Sequence, residues 1–379
     1  MTYRGKTLTA GLVVALTCAA LTSASPARAQ NSDAMPSFNG TVLTIAYAKN
    51  TVYVGGDFTA ALVNGKPVAR GRLAAIDART GELLPWAPVA DGRVKSLVAD
   101  GSSIYLAGDF ARVAGQKRDS LARVDATSGA LHSTFKHSIS GRPMAAFAAH
   151  GRLYVGGTIT AVDGQKRDRL AAFSLGSGTL DTRWRPTVDD QVETIAAAGE
   201  RVYIGGRFRK VNSVSGYGKL AALDPAGATL VTGFKPRPPA ITYGLAVTGD
   251  AVFSAHGGQG GRISRYTPAG VLTWSATFDG DAQAVTVLGD TVYAGGHFDR
   301  ACSTARTGSQ GACVDGSDHR VKLASLSAAD GHLREWTADA NGVEGVLALA
   351  SSAKLGKVAM GGAFTTVDGR QQKRFAQFS

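Results

Sequence analysis

The chain holds 379 residues, 44% hydrophobic and 18% charged, with a formal net charge of +12. That much apolar material builds a sizeable core and excludes bulk disorder, while the length exceeds one ordinary compact domain and suits a repeat fold. The 48 glycines are scattered rather than set in triplets, which excludes collagen and points to short strands and tight turns.

At the start of the chain, Arg4 and Lys6 precede an apolar run from Leu8 to Leu21, and small residues follow as far as Ala27-Arg28-Ala29. This is the pattern of a secretory signal peptide spanning residues 1–29, with cleavage after Ala29. The run is shorter than the roughly 20 residues a spanning helix needs. The sequence therefore predicts a secreted, extracellular protein without a membrane span. Loss of residues 1–29 removes three bases and no acids, so the remainder stays basic. Cys302 and Cys313 remain, and two thiols in an oxidising compartment most simply pair as a disulfide.

Self-similarity dominates residues 30–379. The segment Val52-Tyr53-Val54-Gly55-Gly56-Asp57-Phe58 returns near residues 104, 153, 202, 252, 292 and 358. Most copies lie about 50 residues apart, the period of a four-stranded propeller blade. Each copy divides into a first strand such as Val42–Ala48, the VYVGG strand, a third strand such as 72–77, a tight turn, and a fourth strand carrying an aromatic. Those aromatics are Trp86, Phe135, Trp184, Phe234, Trp274 and Trp336. The next first strand begins eight residues after the aromatic in five of six cases; the sixth, 336 to 343, is one shorter. The chain stops after a third strand, and Ala34 precedes Val42 by the same eight residues. The expected architecture is all-β, a single seven-bladed β-propeller of four-stranded blades, closed by the N-terminal strand completing the last blade and thereby protecting two sheet edges. A monomer is expected.

The VYVGGDF, RLAAIDARTG and LPWAP elements of this sequence resemble the delta-60-type repeat of secreted bacterial β-propellers, common in actinobacteria. They are also similar in arrangement to quinoprotein-type propellers, whose blades end in a tryptophan strand. The resemblance covers nearly all of the chain after residue 29 and implies a fold. It implies no activity, and with no vicinal cysteine pair no cofactor is expected. Function must come from the site.

The loops between second and third strands carry bases: Lys66 and Arg70, Lys117 and Arg118, Lys166 and Arg167, Arg209 and Lys210. They read either as a positive ring attracting an anionic polymer or acidic protein surface, or as solvated loops whose Arg stems cover neighbouring blades. The loops lack interleaved aromatics, so nucleic acid is not expected as a partner. The fourth-to-first loops carry Asp91, Asp189, Asp190, Asp279, Asp281 and Asp339. Turn chemistry explains these better than calcium or acid–base work, because alternate blades separate them; Asp189 and Asp190 are the close pair, and no metal site is expected. Just inside the first strands, one position reads Leu43, Lys95, Met144, Glu193, Tyr243, Gln283, Glu344. Its diversity suits a specific pocket or an unconstrained position. Lys95, Tyr243 and Gln283 are candidate binding residues, and Glu193 and Glu344 a candidate acid–base pair for glycoside cleavage.

Two loops depart from the repeat. A long insertion between His297 and Val321 holds both cysteines, and blade five is trimmed to Gly257-Gly258-Gln259-Gly260-Gly261. The insertion reads as a lid, a recognition element or a neutral addition, and long beside short predicts a notch. The repeated tyrosines and tryptophans read as core between blades. The leading functional expectation is a secreted module that binds cell-envelope glycan or a secreted protein partner through its top face; the alternative is a carbohydrate hydrolase or lyase.

Overall fold

The computed structural model of the chain describes Met1 and residues 34–379. The expected signal segment, residues 1–29, lies outside the described residues but for Met1. Among the described residues the protein is all-β, with one 3-10 turn at Ser309–Gly311. No helix among them is long and apolar enough to cross a membrane.

Short apolar runs punctuated by glycine fold into antiparallel meanders, seven among the described residues. Inner, middle and third strands are Val42–Ala48, Thr51–Gly56 and Leu73–Asp77 in unit one, and Arg93–Asp100, Ser103–Asp109 and Leu121–Asp125 in unit two. Unit three has Pro143–Ala149, Arg152–Gly157 and Leu170–Ser174; unit four has Val192–Ala198, Arg201–Gly206 and Leu220–Leu223. Thr242–Val247, Val252–His256 and Arg262–Tyr266 make unit five, and Ala282–Leu288, Thr291–Gly296 and Leu323–Ser327 unit six. Unit seven has Val346–Ser352, Lys357–Gly362 and Phe375–Phe378.

Middle and third strands are buried on both faces, which is why they read as continuous apolar runs. The core lies between units. In one such cluster Tyr154 and Trp184 of unit three pack with Val192, Ile204 and Leu223 of unit four. Each large side chain so buried contributes about 1.5–3 kcal/mol. Tyr53 donates its hydroxyl to Ala126 O at 2.7 Å, and Trp86 its indole N–H to Asp125 O at 2.9 Å, both across to unit two. Trp184 and Trp274 reach Asp224 O and Ala328 O in the same way. The repeated aromatics are thus core between units, as expected.

This reach changes the fourth strand. A full one, Leu272–Phe278, forms in unit five. In units one to four and six the segment keeps a single bridge to the third strand, as between Ile76 and Leu83. The chain leaves the sheet there to carry its aromatic to the neighbour.

Successive inner strands lie side by side. Leu97 N donates to Thr44 Oγ1 and Ala146 N to Ser96 Oγ, both at 3.0 Å. The last and first units meet through the same geometry. A Cβ on Gly156 would stand 2.7 Å from Val192 Cγ1 of the next unit, and one on Gly361 would stand 2.6 Å from Val42 Cγ1. Unit seven has Ala359 where unit one has Tyr53. Its third strand supplies the missing donor instead: Gln377 Nε2 bonds Ala78 O at 2.8 Å, and Gln377 Oε1 accepts from Tyr47 at 2.9 Å. The N-terminal segment touches both end units. Ser37–Phe38 pairs with Ala61 and Leu62 of unit one, while Phe38 N bonds Lys373 O and Lys373 N bonds Ser37 Oγ in unit seven. The stretch that would correspond to Leu83 and pair with Phe375–Phe378 lies outside the described residues.

Between middle and third strands, every unit except unit five projects a small hairpin, such as Ala60–Val63 with Lys66–Ala69. Each hairpin receives the segment arriving from the preceding unit. Unit five's five-residue turn offers no hairpin, and the segment arriving there, Pro236-Arg237-Pro238-Pro239, contains three prolines with no N–H to donate. The expected notch beside this turn is filled. The Cys302–Cys313 disulfide is formed, and its loop leans back over unit five: Thr307 Oγ1 donates to Gln259 O and Arg262 to Ala305 O, both at 3.1 Å.

Candidate functional site

Every inner strand contains a β-bulge at the same place, between Val42 and Thr44 in unit one and between Val192 and Thr194 in unit four. The extra residue has no partner on the middle strand, and a bulge re-aims it. Those residues are Leu43, Lys95, Met144, Glu193, Tyr243 and Gln283, the variable position of the repeat. In unit seven the bulge falls between Val346 and Ala348, so the seventh member is Leu347 and not Glu344. Val343 and Glu344 are a two-residue insertion after Asn341, both exposed. Glu344 therefore stands outside the row that holds Glu193.

Two members of the row, Lys95 and Glu193, meet the residue that follows the last middle-strand glycine, a position that sequence reasoning missed although it too varies: Asp57, Asp109, Thr158, Arg207. Lys95 Nζ lies 2.8 Å from Asp109 Oδ2 and 3.4 Å from Met144 Sδ. Arg93 reaches Asp57 at 3.7 Å. Arg207 Nε donates to Glu193 Oε1 at 2.7 Å, and its guanidinium lies over the Tyr243 ring, 5.9 Å from the centroid. The Glu193 bond holds the Arg207 pKa above its ordinary value. Burial pushes the Tyr243 hydroxyl up, and the charge of Asp281 adds to this. Tyr243 sits so close to Gly257 that a Cβ there would be 2.5 Å from Cε2, and Gly258 N donates to Asp281 Oδ1 at 2.8 Å. Glu193, Tyr243 and Asp281 are thus drawn together across units four to six, with Arg207 among them. Gln283 is half-buried on its inner strand.

The acids after the aromatics do turn work. Asp189 Oδ1 accepts from Arg209 N and Lys210 N at 2.8 and 2.9 Å. Asn39, Asp91, Asp279 and Asn341 accept from the same two positions of their hairpins. Although burial opposes it, these donors hold the Asp189 pKa below its usual value. Asp190 accepts from Gln191 N and is exposed. Asp189 also lines a 330 Å³ cavity with Asp168, Arg169 and Lys210. Among the described residues no group of three or more His, Cys, Asp or Glu side chains is placed to hold a metal.

The basic loops divide into two populations. Lys66, Lys117 and Lys166 are exposed on their hairpins. Arg118 and Arg167 are 3% and 2% exposed and do not belong to a surface ring. Arg118 donates to Lys117 O, His132 O and Ser133 O, and Arg167 to Lys166 O and Asp181 O. Arg70 and Arg320 make the equivalent bonds. These guanidiniums tie the hairpins of units one, two, three and six to the irregular fourth segment, replacing backbone bonds lost where the chain leaves the sheet.

No protein-family model matches the chain, and no curated protein matches it by sequence. Solved structures do. The WD40 beta propeller domain of Doa1 is similar with a TM-score of 0.60 at 9% identity, over 93% of this chain and 97% of that one. The structure of U3-55K is similar with a TM-score of 0.61 at 9% identity, over 92% and 99%. At such identity the likeness is one of fold: this chain has the architecture of the β-propellers.

Proposed function

We propose that the protein is a secreted binding module, a closed propeller of seven blades in one domain, that recognises an anionic glycan of the cell envelope through its hairpin face. The observation that carries this is the exposed Lys117 and Lys166, at the same register of successive hairpins, with Lys66 exposed beside the turn of the longer unit-one hairpin. Repetition makes them a spaced cationic track, suited to a polymer with repeating negative charge. Closure is supported by Gly361 facing Val42 and by Gln377 reaching Ala78. Secretion is supported by the signal-like segment 1–29 and by the Cys302–Cys313 disulfide.

Binding is favoured over catalysis because Glu193 is already neutralised by Arg207, and Glu344 lies on an insertion outside its row. An acid–base pair for glycoside cleavage needs two carboxyl groups flanking one bond. The test is retention on immobilised heparin, used as an anionic polysaccharide probe, under a salt gradient. Wild-type protein is expected to elute late, and Lys66→Glu, Lys117→Glu and Lys166→Glu combined to elute early. Unchanged elution of the triple variant would overturn the reading.

A further inference from the structure

On the face opposite the hairpins, each unit meets the next around the ring at the position of Tyr53. There the fold repeatedly inserts an arginine. Between units two and three, Arg123 lies over Tyr105, 5.5 Å from the centroid, with Nε bonded to Ser103 Oγ at 2.8 Å. Between three and four, Arg152 runs beside Tyr154 and pairs with Asp181 at 2.8 Å. Between four and five, Arg201 donates to Pro268 O of the next unit's turn. Arg265 lies over Phe253 at 5.9 Å between five and six. Arg334 pairs with Asp290 between six and seven, close enough for its charge to act on Tyr293.

These arginines come from three register positions: that of Arg152 and Arg201, that of Arg123 and Arg265, and that of Arg334. In unit one the same positions hold Thr51, Ala75 and Leu84. The result is a cavity of 490 Å³ over the edge-to-face pair of Tyr53 and Trp86, whose centroids are 5.0 Å apart. Ser102 and Thr127 of unit two line its far wall. Burial raises the Tyr53 hydroxyl pKa, and the negative charge of Asp125 contributes in the same direction. The slot thus keeps the aromatic pair, each ring 4% exposed, the hydroxyls and the nearby Asp125 charge, holds no carboxylate in its lining, and lacks the guanidinium found elsewhere.

We propose that this slot binds an arginine side chain presented by a partner polypeptide, which stacks on Tyr53 and reaches the unit-two turn as Arg201 reaches Pro268. The site is independent of the hairpin face and of any glycan bound there. The competing occupant is Lys49, exposed at the rim on a turn in the left-handed region.

The probe is the peptide acetyl-Gly-Arg-Gly-amide, with citrulline replacing arginine as its neutral isostere. Each is titrated into the full chain by calorimetry and followed by the Trp86 indole N–H resonance. Saturable binding of the arginine peptide is expected, about tenfold or more tighter than the citrulline peptide, as a cation over a desolvated aromatic face allows. Ala75→Arg, in the register of Arg123 and Arg265, should abolish it by filling the slot; Thr51→Arg, in the register of Arg152 and Arg201, serves should the first variant not fold. Equal affinity for both peptides, no binding to wild-type protein, or undiminished binding to a folded filled-slot variant would overturn the proposal. Binding that appears in Lys49→Gln alone would also overturn it, by assigning the slot to Lys49.

Discussion

Arg118 separates a structural cation from a ligand-binding one, and truncating it to alanine measures which it is. Its guanidinium donates to three backbone carbonyls at 2.7, 3.1 and 3.4 Å and is 3% exposed. Removing it leaves partly buried acceptors without donors, at about 1 kcal/mol each. Relief of the buried charge, whose desolvation lowers the Arg118 pKa, offsets part of this. The net loss for Arg118→Ala is about 2–4 kcal/mol. At roughly 2 °C per kcal/mol in a large domain, the melting temperature should fall by about 4–8 °C. Lys117→Ala, one residue away but exposed, should change stability by less than about 0.5 kcal/mol. Thermal melts of both variants, paired with heparin elution, form the assay. Arg118→Ala melting within about a degree of wild type, yet eluting early, would refute the structural assignment and return Arg118 to the binding surface.

The proposed closure makes a matched prediction: Gly361→Ala and Gly156→Ala should each cost about 1–3 kcal/mol by overpacking a neighbouring valine, and a neutral Gly361→Ala in chemical denaturation would deny the last-to-first interface. His256 is fully buried, and burial lowers its pKa to about 3. Between about pH 6.5 and 3 the unfolded chain therefore binds a proton the folded one refuses, so stability should fall with falling pH by up to about 1.4 kcal/mol per unit. Urea titrations of wild type and His256→Asn should differ in slope across that window, and identical slopes would count against it. Replacing Cys302 and Cys313 together by serine releases an 11-residue separation, worth about 3 kcal/mol in the chain-entropy account. Protease cleavage within residues 303–316 should appear first, and cleavage beginning elsewhere would remove the loop's stapling role.

Residues that geometry forces to repeat made the architecture legible. The second glycine of each Gly-Gly pair cannot be replaced cheaply, since a Cβ on Gly56 would lie 2.0 Å from Thr41 O. The tyrosines, tryptophans and Asx turn residues recur because each serves one fixed partner. The site was harder to read for the complementary reason. A bulged residue has no cross-strand partner, so Lys95 or Glu193 carries no local signature, and its ion-pair partner lies 14 residues on, across the inner turn. Glu344 was misplaced because Val343 mimics the strand start that Val346 provides; Asn341 keeps its turn bonds and the extra residues are extruded beyond it. Arg118 and Lys117 look alike in sequence, and only their opposite directions in the folded hairpin separate them.

Unit five shows how one deletion is absorbed by its neighbours. Without a hairpin it cannot receive the segment from unit four, and that segment is rich in proline, which needs no receiving acceptor. Leu272–Phe278, the outer strand of unit five, stays in its sheet along its whole length. There Arg300–Cys302 of unit six pairs with Thr277 and Phe278, Ser317–His319 adds a further strand, and the sheet grows to six. The disulfide then pins the tip of that addition against Gln259. An exposed edge invites pairing with other chains; the unit-six hairpin covers this one at Thr277 and Phe278, and the disulfide-held loop adds its bonds to Gln259 O and Arg262 over unit five. The variable row at Glu193 and Tyr243, with Arg207 between them, owes nothing to that repair, which leaves it as the part of this face whose chemistry is not dictated by the fold.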